Sequence, residues 1–253
     1  MNCRSLRSAI VPLCTLAALA LLLTPQAAVW AQEGGDASSE QSALVDLTGT
    51  WVSLVSEDWG VRMVTPAKGD YRGIPLNEAG RRMADDWDPA AVRAAGEECK
   101  AYGAPAIMRV PTRLNISWDN ETTLKIETDA GMQTRTFYFG EVREPEGPTY
   151  QGHSLAEWVL TGGEFGYNPG GHLKVVTTHL RPGFLRKNGV PYSAEGVMTE
   201  YFYRFEEPYG DSTLFVVTMF EDEQYLEEPL AMSTQFKKIP DGSGWNPTPC
   251  TAD

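Results

Sequence analysis

From Leu114 onward the chain alternates apolar and polar residues in short runs separated by turn residues, and this spacing constrains the fold more than anything else in the sequence. Leu114, Ile116 and Trp118 fall in one row, and Asn115 and Ser117 in the other. Asp119-Asn120-Glu121 then turns the chain into Leu124 and Ile126, opposed by Lys125 and Glu127. Asp129-Ala130-Gly131 turns it again toward Gln133, Arg135 and Phe137. Successive side chains on a strand point to opposite faces, so each run presents one apolar face to a core. Further runs at 156–160, 173–180, 197–205, 213–221 and 230–237 bring the expectation to about nine or ten strands. So many strands without intervening helices argue against a parallel α/β sheet and leave a closed barrel or a sandwich. The tight turns of the first half favour an antiparallel up-and-down barrel. A β-sandwich is the alternative, because the Gly- and Pro-rich loops at 144–152, 161–171 and 181–194 could carry its crossovers.

Before this region, residues 50–55 read as the first strand, continued by 61–64 after the interruption at Asp58-Trp59-Gly60. Residues 76–87 are helical in pattern, with Asn77 as N-cap and Asp88-Pro89 as stop. Residues 89–100 then resume as a second helix with Pro89 in its first turn. The expected fold is therefore mainly β, with a short helical insertion after the first strands.

The first thirty residues have the form of a secretory signal. Arg4 and Arg7 make a basic start, residues 9–23 are apolar apart from Pro12 and Thr15, and Val29-Trp30-Ala31 places cleavage before Gln32. That apolar run is shorter than the ~20 residues a bilayer-spanning helix needs. Residues 1–31 are thus expected to leave as a signal peptide, 32–43 to form a flexible leader, and 44–253 to form a single β domain. Cleavage removes two cations and no acid, so the formal net charge goes from −13 to −15. That sign disfavours nucleic acid and anionic membrane as partners, and no later segment is apolar enough to insert. The expected location is periplasmic or secreted. Cys3 and Cys14 depart with the signal, and the remaining pair, Cys99 and Cys250, suggests one disulfide in an oxidising compartment. These cysteines and His153, His172 and His179 lack zinc-type spacing, so neither a metal nor another cofactor is expected.

Three positions, His153, His179 and Glu200, carry most of the potential for chemistry. His153 sits in Gln151-Gly152-His153-Ser154, in a loop leading to the strand of Trp158, where a ring beside a hydroxyl suits acid-base work or ligand contact. His179 shares the phase of Leu173, Val175 and Thr177 and precedes Arg181, which would set a ring and a cation together at a rim. Glu200 lies between Met198 and Phe202 in one row, with Tyr201 in the other. A carboxylate there must find a cation such as Arg135, Arg186 or Arg204 if it is buried. Asp222 and the Glu227-Glu228 pair read as a solvated acidic edge. No Gly-x-Ser-x-Gly elbow, phosphate loop or His-Glu-x-x-His helix is present.

Gly49-Thr50-Trp51, at the start of the first strand and shortly after the leader, resembles the opening motif of the lipocalins and related calycin barrels. The resemblance implies that Trp51 plugs a closed barrel end and stacks with a basic residue of the last strand, for which Lys237 or Lys238 is available. The family's usual partner is Arg, and no Arg follows Arg204. More broadly, Cys99-Lys100-Ala101-Tyr102-Gly103-Ala104-Pro105, Gly152-His153-Ser154 with Trp158, and Met198-Thr199-Glu200 resemble a large group of secreted proteins of environmental bacteria, which implies export and a β fold and assigns no catalytic residue.

Together these readings lead to a binding protein for a small apolar or amphipathic molecule held in the barrel, with His153, Trp158, His179 and Tyr201 as ligand contacts. An enzyme using His179, Glu200 and Arg181 as an acid-base set on a small neutral substrate is the alternative, and an envelope interaction module is the third.

Overall fold

The computed structural model describes residues 38–140, 145, 147–161 and 170–252. The expected signal segment and the first part of the leader lie outside them. The expected barrel is there: nine strands close into one ring in the order β1 (Gly49–Leu54), β11 (Leu230–Ile239), β10 (Ser212–Glu221), β9 (Val197–Glu206), β6 (Gly170–Thr178), β5 (His153–Thr161), β4 (Thr134–Phe139), β3 (Thr123–Thr128) and β2 (Arg113–Asn120). A separate hairpin, β7 (Gly183–Arg186) with β8 (Val190–Tyr192), lies in the segment expected to be a loop.

The order departs from a purely antiparallel up-and-down ring at one seam, where β4 and β5 run parallel, with Phe137 opposite Ser154 and Phe139 opposite Ala156. Parity requires it. Going once around a closed ring, the strand direction must return to itself, so antiparallel contacts must be even in number; with nine strands at least one contact is parallel. The connection at 140–152 has the length that a parallel pair needs to return to the starting end.

The alternating rows behave as the sequence implies. Leu114 and Ile116, Leu124 and Ile126, Phe137 and Phe139, and Leu173 and Val175 all point into the barrel and are buried. Trp51 is fully buried, donates Nε1–H to the Leu47 carbonyl at 2.9 Å, and carries Lys238 Nζ 5.3 Å from its ring centre. Lys237 instead pairs with Asp211 at 2.6 Å. Over this end of the barrel runs the segment from Ser38, where the Trp158 indole donates to the Ser39 carbonyl at 3.1 Å and Leu47 is buried.

The opposite end is covered by the insertion between β1 and β2. Its helices are α1 (Trp59–Arg62), α2 (Glu78–Asp85), α3 (Pro89–Ala94) and α4 (Ala104–Ile107), with a 3-10 turn at Glu98–Tyr102. Asn77 caps α2 by accepting from Gly80 N at 2.9 Å, and Asp88 caps α3 by accepting from Ala90 N at 2.8 Å. Two expectations fail here. Residues 61–64 do not extend β1, because Asp58 adopts φ 51 and ψ 29 and turns the chain into α1. The helix expected over 89–100 breaks at Gly96, whose φ of +66 is left-handed, and resumes as the 3-10 turn. Ile107 and Met108 join the barrel core from below. A second cluster, including Leu76, Leu185, Tyr192, Met198 and Phe220, fills the space between barrel, insertion and hairpin.

Asp222 is not a solvated edge residue: it is buried and accepts hydrogen bonds from Ser193 N at 2.7 Å and Ser193 Oγ at 2.8 Å. The Ser193 loop folds back onto the end of β10 and removes this carboxylate from water. The cysteines form the expected bridge, Cys99–Cys250, joining the 3-10 turn to the C-terminal tail.

Candidate functional site

The barrel lumen is solid. Trp51, Leu114, Phe137, Val175, Phe202 and Phe236 each have 0% exposure, and a hollow that admitted even one water would leave part of its wall accessible. The only full charges seen inside it, among the described residues, are Arg135 and Glu200, which form a two-pronged pair with Nη1 2.9 Å from Oε1 and Nη2 on Oε2. Glu200 thus meets the cation its buried row demanded, supplied by a strand three places away around the ring. The space expected for a ligand is occupied by side chains.

The expected rim acid-base set does not assemble. Glu200 is sealed in the lumen with Arg135. Arg181 stands outside, its guanidinium 4.8 Å from the Tyr150 ring centre and 3.5 Å from Glu97. His179 loses the phase of β6 because its φ is 54, a left-handed turn that swings it out of the strand row. His153 and His179 do come together, ring centres 6.2 Å apart and edge to face, with Tyr138 stacked on His153 at 5.2 Å. His153, but not His179, lines a cavity of about 630 Å³ on the outer face of β4, whose described walls also include Thr134, Thr136, Tyr138, Pro148 and Gln151. That wall mixes hydroxyl and amide groups with Tyr138 and the prolines and, among the described residues, carries no cation to hold a charged group. Trp158 lies at the Trp51 end, stacked on Phe139 at 5.8 Å, and Tyr201 faces outward on β9 near His172. Among the described residues, neither cavity brings the four expected ligand contacts together.

A different cavity, of about 490 Å³, lies beside the barrel between the insertion, the hairpin and the C-terminal tail. Its size is that of small-molecule sites. One wall is α1 with Val61, Arg62 and Met63; the second runs from Ala106 through Arg109 and Val110; the third is Leu185, Arg186 and Lys187 at the end of β7; the fourth is Thr248, Pro249 and Thr251 of the tail. Each wall is fixed by identifiable chemistry. The left-handed Asp58 both starts α1 and brings its carboxylate to Arg109 Nη2 at 2.6 Å. Arg62 donates Nε–H to the Arg109 carbonyl at 2.9 Å and Nη1–H to Glu57 at 2.7 Å. A register shift between Phe184 and Arg186 breaks the strict alternation of the hairpin, the usual way a bulge re-aims a side chain. The tail is held by Thr248 N on the Asp129 carbonyl at 2.9 Å, by Gly131 N on the Thr248 carbonyl at 2.8 Å, and by the disulfide next door. Gly131 has φ +74, and a Cβ there would stand 2.3 Å from the Tyr102 ring that lines the cleft.

The charged side chains that line this cleft are all basic, with Glu57 and Asp58 behind them as partners of Arg62 and Arg109. Arg62, Arg109, Arg186 and Lys187 line it, and no acidic side chain does among the described residues. Burial pushes the Arg62 guanidinium below its ordinary pKa and Arg109 pushes it further, against Glu57 and Asp58. Burial likewise lowers Arg186, with Arg109 again next in effect, against Asp58 and Asp70. Lys187 Nζ bonds Thr251 Oγ1 at 2.7 Å and sits 5.1 Å from the Tyr102 ring centre. Burial works upward on the Tyr102 phenol, but Lys187 and Thr251 bring it below its ordinary value.

Sequence reasoning named none of these lining residues as a site, apart from weighing Arg186 as a partner for Glu200. Their cations come from three distant segments and form no motif, so spacing along the chain could not have grouped them. The nearest available signal was Asp58-Trp59-Gly60, which interrupts a strand-like pattern where α1 begins. Neither a protein-family model, nor a curated protein, nor a solved structure matches the chain.

Proposed function

We propose that the protein binds a small amphipathic molecule, and that it does so in the cleft beside the barrel rather than in the lumen. The observation that carries this reading is a 490 Å³ cavity that combines apolar wall, from Val61, Met63, Val110 and Leu185, with a few polar groups from Arg186, Lys187 and Tyr102. That combination of greasy wall and sparse polar contacts is the usual make-up of a ligand site. The barrel then acts as a rigid scaffold on which the insertion, hairpin and tail are mounted. We further propose that the molecule is exported and lipocalin-like. The disulfide and the secretory form of residues 1–31 support export, and Trp51 under Lys238 supports the lipocalin likeness.

An uncharged fluorescent apolar dye tests the cleft directly. Binding is expected to be saturable in the native protein, lost when Val110→Trp fills the cleft, and kept when Phe137→Leu alters the lumen. Dye binding that survives Val110→Trp and disappears with Phe137→Leu would overturn the assignment. Near-ultraviolet circular dichroism of each variant verifies that it has folded.

A further inference from the structure

We propose that the cleft recognises its ligand by an anionic head, a carboxylate or a phosphate, seated on Arg186, Arg109 and Arg62, with the apolar body against Val61, Val110 and Leu185. This rests on the reading of the cleft as a ligand site.

The cations are more than background composition, because the chain as a whole carries a formal charge of −13. Arginines accumulate here against that balance, close enough that Arg109 disfavours the charge of both neighbours. Two of them are occupied in holding the wall together. Arg109 also donates to the Ser233 carbonyl at 3.1 Å, and Arg62 and Arg109 have Glu57 and Asp58 as partners. Arg186 is different. Among the described residues no carboxylate lies within ion-pair distance of it, and its hydrogen bond is from Nη1 to the Arg72 carbonyl at 2.8 Å. A guanidinium carries five N–H donors in a fixed fork, so most of its bonding capacity is unspent.

Arg62 adds a second sign. Its side chain is 2% exposed, yet Nη2 is buried without a hydrogen-bond partner. A buried donor of a charged group left unpaired is costly, and an acceptor oxygen brought by a ligand would relieve that cost. Carboxylate and phosphate oxygens satisfy guanidinium forks in pairs, which an alcohol or a neutral amide cannot do as well. An anion would also offset the mutual repulsion of the arginines. A cationic head would add to it.

Isothermal titration of the full chain separates the possibilities, using dodecanoate, dodecyl phosphate, dodecanol and dodecyltrimethylammonium below their aggregation concentrations. At least one anion is expected to bind tighter than the alcohol by about tenfold or more, the worth of one charge-assisted hydrogen bond. Arg186→Gln should erase that preference while leaving alcohol affinity nearly unchanged, and Arg186→Lys should restore part of it. The ratio of dodecanoate to dodecyl phosphate affinity then tells which oxyanion the fork prefers. Equal binding of anion, alcohol and ammonium, or a preference that survives Arg186→Gln in a variant melting like the native protein, would overturn the head-group assignment. Binding of every amphiphile undiminished by a folded Val110→Trp variant would instead overturn the cleft itself as the ligand site.

Discussion

Arg135 and Glu200 face each other inside the barrel, on β4 and β9, with β5 and β6 between them around the ring. Both side chains have 0% exposure, so two full charges have been taken out of water into a core of Phe137, Val175 and Phe202. Arg135 also rests on Phe137, 4.9 Å from its ring centre. The pair ties together two walls that share no hydrogen-bond ladder. Its Coulomb energy is largely spent on desolvation, so the pair specifies which residues meet more than it adds net stability.

Removing one partner leaves the other charge buried and alone. Arg135→Met and Glu200→Leu are each expected to lower unfolding free energy by about 3–5 kcal/mol, and the double variant should regain most of the loss. Urea unfolding of the four proteins as a double-mutant cycle measures this, and strictly additive losses would contradict it.

The Cys99–Cys250 bridge spans 151 residues, a long loop whose closure constrains the unfolded chain. Its loss, by reduction or by Cys99→Ser with Cys250→Ser, is expected to cost about 5 kcal/mol by the loop-entropy relation. Because the tail residues Thr248, Pro249 and Thr251 line the cleft, ligand affinity should fall along with stability. Thermal melts and dye titrations with and without reductant check both halves.

His172 is buried on the outer face of β6, its ring 4.7 Å from that of Tyr203 and 5.7 Å from that of Tyr201, and Nδ1 has no hydrogen-bond partner. Burial lowers its pKa from the ordinary 6.5. The folded protein therefore keeps the ring neutral while the unfolded chain takes up a proton. The stabilising contribution is whole above pH 6.5 and declines as pH falls from there toward the depressed folded value. His172→Phe should flatten that part of the stability curve, measured as melting temperature from pH 8 down to pH 5, the window in which histidine titrates.

Much of this architecture was written in local pattern. The Asn77 and Asp88 caps, the meander of β2, β3 and β4, and the need of Glu200 for a buried cation all follow from residues a few places apart. Trp51 meeting Lys238 was legible through the motif resemblance. What escaped depends on closure and on long-range packing. The parallel seam at β4 and β5 follows from the parity of the whole ring, which no window of sequence contains. His179 left its row because a left-handed backbone broke the period, and Asp222 was buried by a loop from elsewhere in the chain. The cleft arginines meet only once insertion, hairpin and tail have folded onto the barrel end.

A crystal structure with a bromine-tagged dodecanoate would test the central claim most directly, since anomalous scattering locates the bromine without reference to the fitted chain. The account places that signal among Val61, Val110 and Leu185, with the carboxylate on Arg186. A signal in the lumen beside Trp51 and Phe137, with the cleft vacant, would contradict it.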